Sequence, residues 1–116
     1  MRVAIVAGSD AGHAFPAFAL AERFIAAGDE PTVYTGLRWS AAARRRGIEI
    51  AELPELAAVD TDDDADAGQK LSVRAARMAR ALAPVIAAAD HDLVISDVIT
   101  VAGGWAAELC ALPWIC

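Results

Sequence analysis

The chain has 116 residues, a net charge of −6 and 57% hydrophobic residues, 29 residues being alanine. That length is one domain, and the larger apolar residues that remain suffice for an ordinary core, which excludes a disordered chain. Asp60, Asp62, Asp63, Asp64 and Asp66 fall in one stretch, so the acidity is local; the lack of a basic excess argues against a nucleic-acid platform.

No apolar run reaches the roughly 20 residues of a membrane-spanning helix. The N-terminal MRVAIVAGSD places one charge and a short apolar run before a Gly-Ser-Asp turn, too short for a signal peptide, so a cytoplasmic protein is expected. Cys110 and Cys116 form no C-x-x-C pair and have no histidine at metal-ligand spacing. Neither a disulfide framework nor a zinc site is expected, and Cys110 reads as a small core residue.

Val3–Ala7 is a continuous apolar run, the pattern of a strand buried on both faces. Gly8–Gly12 breaks the chain. Ala14–Ala27 reads as a helix, with Pro16 in its first turn, where a missing N–H costs little, and Gly28 as its stop. Thr32–Thr35 is a second strand, and Trp39–Arg46 a short helix closed by Gly47. Ile48–Leu53 alternates as an edge strand does.

Pro54–Gly68 is a polar loop holding the aspartates. Its D-x-D triplets resemble the metal–nucleotide triplet of GT-A enzymes, but a run of like charges reads first as a solvated loop. Gln69–Ala89 is the clearest helix: Leu71, Ala75, Met78, Leu82, Val85 and Ala89 step by three or four along one stripe. Arg74, Arg77 and Arg80 flank it and read as a solvated face, with phosphate binding as the sharper alternative. Pro84 predicts a bend or break. Leu93–Ser96 is a fourth strand, Gly104–Ala111 a short helix, and Pro113–Cys116 the start of a fifth strand.

Strand–helix alternation implies a parallel sheet with right-handed crossovers. The expected fold class is α/β: a three-layer Rossmann-like domain spanning residues 1–116, with strand order 3-2-1-4-5. In such a sheet ligands bind beyond the carboxyl ends of the strands where the winding reverses, here between the first and fourth strands. Two loops flank that point, Gly8–His13 and Asp97–Gly103.

The first loop is not G-x-G-x-x-G, because Asp10 stands at the middle glycine. The second strand ends in Thr35-Gly36-Leu37, with no acid for a ribose, and no G-K-[ST] follows the first loop. These departures disfavour a dinucleotide site and exclude a P-loop. The loop does offer His13 at the mouth of a helix, among small residues. A helix N-terminus disfavours the imidazolium and a nearby carboxylate favours it, a balance suited to a base near neutral pH. Asp97 follows the fourth strand and should emerge at the same rim. The two are assigned as a catalytic pair, His13 the general base and Asp97 its orienter. Gly8 and Gly12 let a ligand approach, and Phe15 and Pro16 are placed to wall its site. Trp39, Trp105 and Trp114 are further candidates, Trp105 the best of them.

The segment MRVAIVAGSDAGHAFPAFALAERFIAAGDEPTVYTG resembles the opening of GT-B glycosyltransferases of the UDP-glycosyltransferase-like kind. Gly12-His13-Ala14-Phe15-Pro16 stands in their G-H-x-x-P place. GIEIAELP matches their third strand, and DLVISDVITVAGGWAAELCALPWI the segment from the fourth strand to the fifth. The resemblance runs in register along nearly the whole chain. It implies inverting, metal-independent transfer of a sugar from a nucleotide-sugar donor (a UDP- or dTDP-sugar) to an acceptor hydroxyl. His13 would deprotonate the acceptor and Asp97 would hold His13. It also implies that the chain is an incomplete N-terminal, acceptor-side half, because such enzymes hold the donor mostly in a second domain.

The expected partners are therefore a small-molecule or lipid acceptor and, to cover the sheet beyond its fifth strand, a second copy or a separately encoded donor domain; the third expectation is a relic or fragment without turnover, the isolated chain being inactive without a donor domain. No cofactor and no metal are expected. The alternatives are a non-catalytic module of the same fold that binds a small ligand or a partner chain, and a flavodoxin- or cobalamin-type domain. The latter is weakened by a loop without a Ser/Thr-rich phosphate nest and by the lack of D-x-H-x-x-G.

Overall fold

The computed structural model describes residues 1–56 and 67–116, with side chains from residue 71 onward in the second stretch. The aspartates at 60, 62, 63, 64 and 66, read above as a solvated loop, lie outside the described residues. Five parallel strands are ordered β3-β2-β1-β4-β5. They are β1 (Arg2–Val6), β2 (Glu30–Thr35), β3 (Glu49–Glu52), β4 (Leu93–Ser96) and β5 (Trp114–Ile115). Among the described residues four helices connect them: α1 (Ala11–Ala26), α2 (Ser40–Arg45, entered through a single 3-10 turn at Leu37–Trp39), α3 (Ala67–Ala88) and α4 (Ala102–Leu109).

The central strand shows why the run Val3–Ala7 is apolar throughout. Val3, Ile5 and Ala7 pack with Ala17, Phe18 and Ala21 of α1 and with Ala43 of α2. Ala4 and Val6 pack on the other face with Met78, Ala79, Leu82 and Ile86 of α3 and Ala102, Ala106 and Ala107 of α4. A strand covered on both sides has no solvent face to carry polar residues. Cover is thinner toward β5: Leu93 and Ile95 are only partly buried on the α1 side, and Trp114 and Ile115 are exposed.

Glycine closes α1 for a geometric reason. Gly28 has φ +88°, while Gly28 N–H donates to Ile25 O and Asp29 N–H to Phe24 O. That pair of bonds caps the helix's last carbonyls and needs a left-handed residue at the turn.

Several boundaries differ from the sequence reading. α1 begins at Ala11, three residues early, so His13 lies inside its first turn and Pro16 in its second. Pro16 therefore deprives the Gly12 carbonyl of its helical donor, a loss that exposed Gly12 tolerates because water reaches it. α3 runs unbroken through Pro84. Its buried stripe is Ala75, Met78, Ala79, Leu82 and Ile86, whereas Leu71 and Val85 are exposed. Helix packing on a twisted sheet selects the face, and here it takes Ile86 in place of Val85. Cys110 is half-buried, its thiol against the Ala83 carbonyl of α3.

α4 lies close on the sheet because of two glycines. A Cβ on Gly103 would sit 2.7 Å from Val6 Cβ and 2.8 Å from Ser96 Oγ; one on Gly104 would sit 2.6 Å from the Trp114 ring. Gly103→Ala should therefore lower stability by roughly 1–3 kcal/mol, through forced separation of α4 from β1 and β4. Gly12→Ala, where nothing lies within 4 Å, should leave it nearly unchanged. Urea unfolding of the two variants side by side checks the contrast.

A buried polar pair lies apart from the loops of the switch point. His91, 5% exposed, shares a 2.8 Å hydrogen bond between its Nε2 and the Tyr34 hydroxyl. Burial lowers the His91 pKa and Arg2 adds to this, opposed by Glu49, Asp92 and Asp90. The folded protein thus binds this proton less readily than the unfolded chain. Its stabilising contribution is complete above the ordinary histidine value of 6.5 and declines as pH falls through it toward the lower folded value. Unfolding midpoints should drop between pH 7 and pH 5, and His91→Gln should flatten that slope.

Candidate active site

The winding reversal falls between β1 and β4, and the loops that follow those strands meet at the carboxyl rim. The first is tethered on its β2 side. Thr35 Oγ1 donates to Gly8 O at 2.8 Å, and Trp39 Nε1 donates to Ser9 O at 2.7 Å. Gly36 is needed there, since its Cβ would lie 2.8 Å from Ser9 Cβ. The second loop starts where Asp97 N–H donates to Val6 O at 2.9 Å, and it turns over Ser96 Oγ, which donates to Thr100 O at 2.9 Å.

His13 and Asp97, 84 positions apart in sequence, are in hydrogen-bond contact: His13 Nδ1 donates to Asp97 Oδ2. Their side chains are 28% and 16% exposed. Asp97 is itself held, its Oδ1 accepting from Ile99 N–H at 3.2 Å and its Oδ2 from Thr100 Oγ1 at 3.2 Å. A carboxylate only accepts, so Nδ1 carries a hydrogen toward Asp97, and in the neutral imidazole that leaves the Nε2 lone pair for a proton from elsewhere.

Two cavities flank the histidine. One, of about 190 Å³, is lined by Gly8, Ser9, Asp10 and His13 from the first loop and the start of α1, by Leu71, Arg74 and Met78 of α3 with Leu56, and by Ile99 and Thr100 of the second loop. The second, of about 210 Å³, is lined by Gly12, His13, Pro16, Ala17, Leu20, Ile95 and Asp97. The structure thus gathers His13, Asp97, Gly8, Gly12 and Pro16 around one rim.

Phe15 and Trp105 are not among the residues lining either cavity. The Phe15 ring packs against Trp39, centroids 5.0 Å apart, and edge-on to Phe18 at 6.1 Å. Trp105 lies in a groove with Ala76, Ala79, Arg80, Glu108 and Leu109. Its neighbours Gly103, Gly104, Ala106 and Ala107 are buried, as is Ala102, and the 100° step between helical residues turns Trp105 outward.

One residue of the site escaped the sequence reading, and a second was read there as part of a solvated face with phosphate binding only as the alternative. Thr100 braces Asp97; its signal was a hydroxyl three residues after an aspartate at a strand end. Arg74 reaches the first cavity because a crossover helix runs antiparallel to its strands, bringing the early turns of α3 to the carboxyl rim. Among the described residues no group of three or more His, Cys, Asp or Glu is arranged to hold a metal ion, and no helix is long and apolar enough to cross a membrane.

No family model matches the chain, and no curated protein matches it. Solved structures do. The glycosyltransferase SsfS6 of Streptomyces sp. SF2575 superposes with a TM-score of 0.78 at 19% identity, over 98% of this chain and 38% of that one. SnogD, a glycosyltransferase from Streptomyces nogalater, gives 0.77 at 20%, over 98% and 32%. The glycosyltransferase VinC, solved in complex with dTDP, gives 0.69 at 21%, over 98% and 33%. The chain spans between 27% and 38% of the length of these and similar structures. What it shares with them is the Rossmann-like α/β fold of GT-B glycosyltransferases, with all five parallel strands in the order 3-2-1-4-5.

Proposed function

We propose that this chain supplies the acceptor side and the catalytic base of an inverting, metal-independent glycosyltransferase, and that a second half holds the nucleotide-sugar donor. The observation that carries this reading is the contact of His13 Nδ1 with Asp97 Oδ2 at the switch-point rim, with a cavity on each side of the imidazole. An acceptor hydroxyl is a poor nucleophile until a base takes its proton. His13 Nε2 takes that proton as the oxygen attacks the anomeric carbon. The bond from that carbon to the diphosphate breaks, the electron pair leaves with the nucleoside diphosphate, and the new glycosidic bond forms on the opposite face. Asp97 offsets the charge of the imidazolium that results.

The fold neighbours are glycosyltransferases, two of them solved with thymidine diphosphate and a third structure with UDP, which supports a UDP- or dTDP-sugar as the donor. A small-molecule or lipid acceptor suits cavities lined largely by apolar residues.

The test is transfer by the chain joined to a donor-binding half of such an enzyme. The expected product has the opposite anomeric configuration to the donor, read from its anomeric NMR coupling, and excess EDTA does not slow its formation. Retention of configuration, or inhibition by EDTA, would overturn the reading.

A further inference from the structure

The three arginines on α3 have different surroundings. Arg80 is exposed, and Arg77 Nε lies 3.4 Å from Glu55 Oε2. Arg74 is partly buried and lines the cavity that also holds His13. It gives Nη2 to the Leu56 carbonyl, while its buried Nε has no hydrogen-bond partner among the described residues. A guanidinium presents five donors in a fixed fork, and a buried donor without a partner is costly. Arg74 also brings a positive charge to the lining of this cavity, which attracts a negative group that enters it.

The remaining lining narrows the chemistry. Leu71 and Ile99 are each 63% exposed at the cavity, with Leu56 and Met78 alongside, so the body of a ligand meets apolar surface. Asp10 lines the cavity from the loop that leads into α1 and His13 from the first turn of that helix, whereas Arg74 lines it from α3; an anion beside Asp10 would be repelled. A negative group is therefore favoured beside Arg74 and a neutral hydroxyl beside His13.

We propose that this cavity takes an acceptor with a largely apolar body and an anionic group, a carboxylate in the simplest case, recognised by Arg74 while its hydroxyl faces His13. This rests on the acceptor-side reading above and adds to it the charge of the acceptor. An Arg–carboxylate pair in a partly buried site is charge-assisted and bidentate, which suits it to selecting one functional group.

The probe is 4-hydroxybenzoate, titrated calorimetrically into the full chain beside the neutral 4-hydroxybenzamide and methyl 4-hydroxybenzoate. The carboxylate is expected to bind about tenfold more tightly than either neutral compound, the gain of one charged hydrogen-bonded pair. Arg74→Gln should erase the preference, Arg74→Lys should keep part of it, and Arg80→Gln should leave it intact. Equal binding of the three compounds, no binding of any, or a preference that survives Arg74→Gln overturns the proposal. So does binding of inorganic pyrophosphate with none of 4-hydroxybenzoate, which would make Arg74 a donor contact. The preference of the unsubstituted chain decides even where Arg74→Gln fails to fold. A preference that survives alongside transfer indifferent to His13→Ala sinks the base assignment and leaves the anion site standing. Transfer that depends on His13 with no preference does the reverse.

Discussion

His13→Ala should cut sugar transfer by the chain joined to a donor half by about 10²- to 10⁴-fold, the range for loss of a general base. The fall should appear in kcat, with the acceptor KM little changed, because the imidazole acts on a proton that moves only in the transition state. The fold should survive. His13 is partly exposed at the start of α1, and Asp97 keeps its bonds from the Ile99 amide and the Thr100 hydroxyl when the ring is gone. An unchanged melting curve with lost turnover separates chemistry from misfolding. Turnover within threefold of the unsubstituted protein would remove the proposed mechanism.

Asp97→Asn should cost about 10²-fold or more, although it changes almost no volume. Its carbonyl oxygen replaces Oδ1 at the Ile99 amide, which turns the new NH₂ toward His13 Nδ1. Two donors then face each other. The imidazole relieves this by moving its proton to Nε2, the atom that should receive the acceptor's proton. The base is present but in the wrong tautomer, and the imidazolium loses its counter-charge. The double variant should lose no more than His13→Ala alone, since both substitutions disable one unit. Additive losses would mean that Asp97 acts on the reaction by another route.

Much of this site was legible because its parts are local patterns joined by a general rule. The run Val3–Ala7 marks a strand buried on both faces, and Gly28 marks the end of a helix by its left-handed turn. Alternation of strands and helices then orders the sheet, and the ordered sheet brings the ends of β1 and β4 together. His13 and Asp97 meet by that route, with no signal passing directly between them in the sequence.

Other features depend on which face a helix turns inward. Leu71 fits the apolar stripe of α3 by spacing, yet it is exposed at a cavity, and Ile86 is buried where Val85 was expected. Trp105 follows the second loop closely in sequence, yet the close seat of Gly103 and Gly104 on the sheet turns it away from both cavities. Arg74 shows the same limit in the opposite direction. As one of three similar arginines it carried no distinguishing mark until α3 packed beside the rim.

The sequence by itself determined the succession of elements, the all-parallel sheet with its reversal between β1 and β4, and the two loops where chemistry could reside, because periodicity and turn residues act over a few positions. Only the tertiary structure decided which side chains share a cavity with His13, because that depends on how each helix rotates and how closely it seats. Those quantities are set by the summed packing of residues far apart in the chain, and no short stretch of it encodes them.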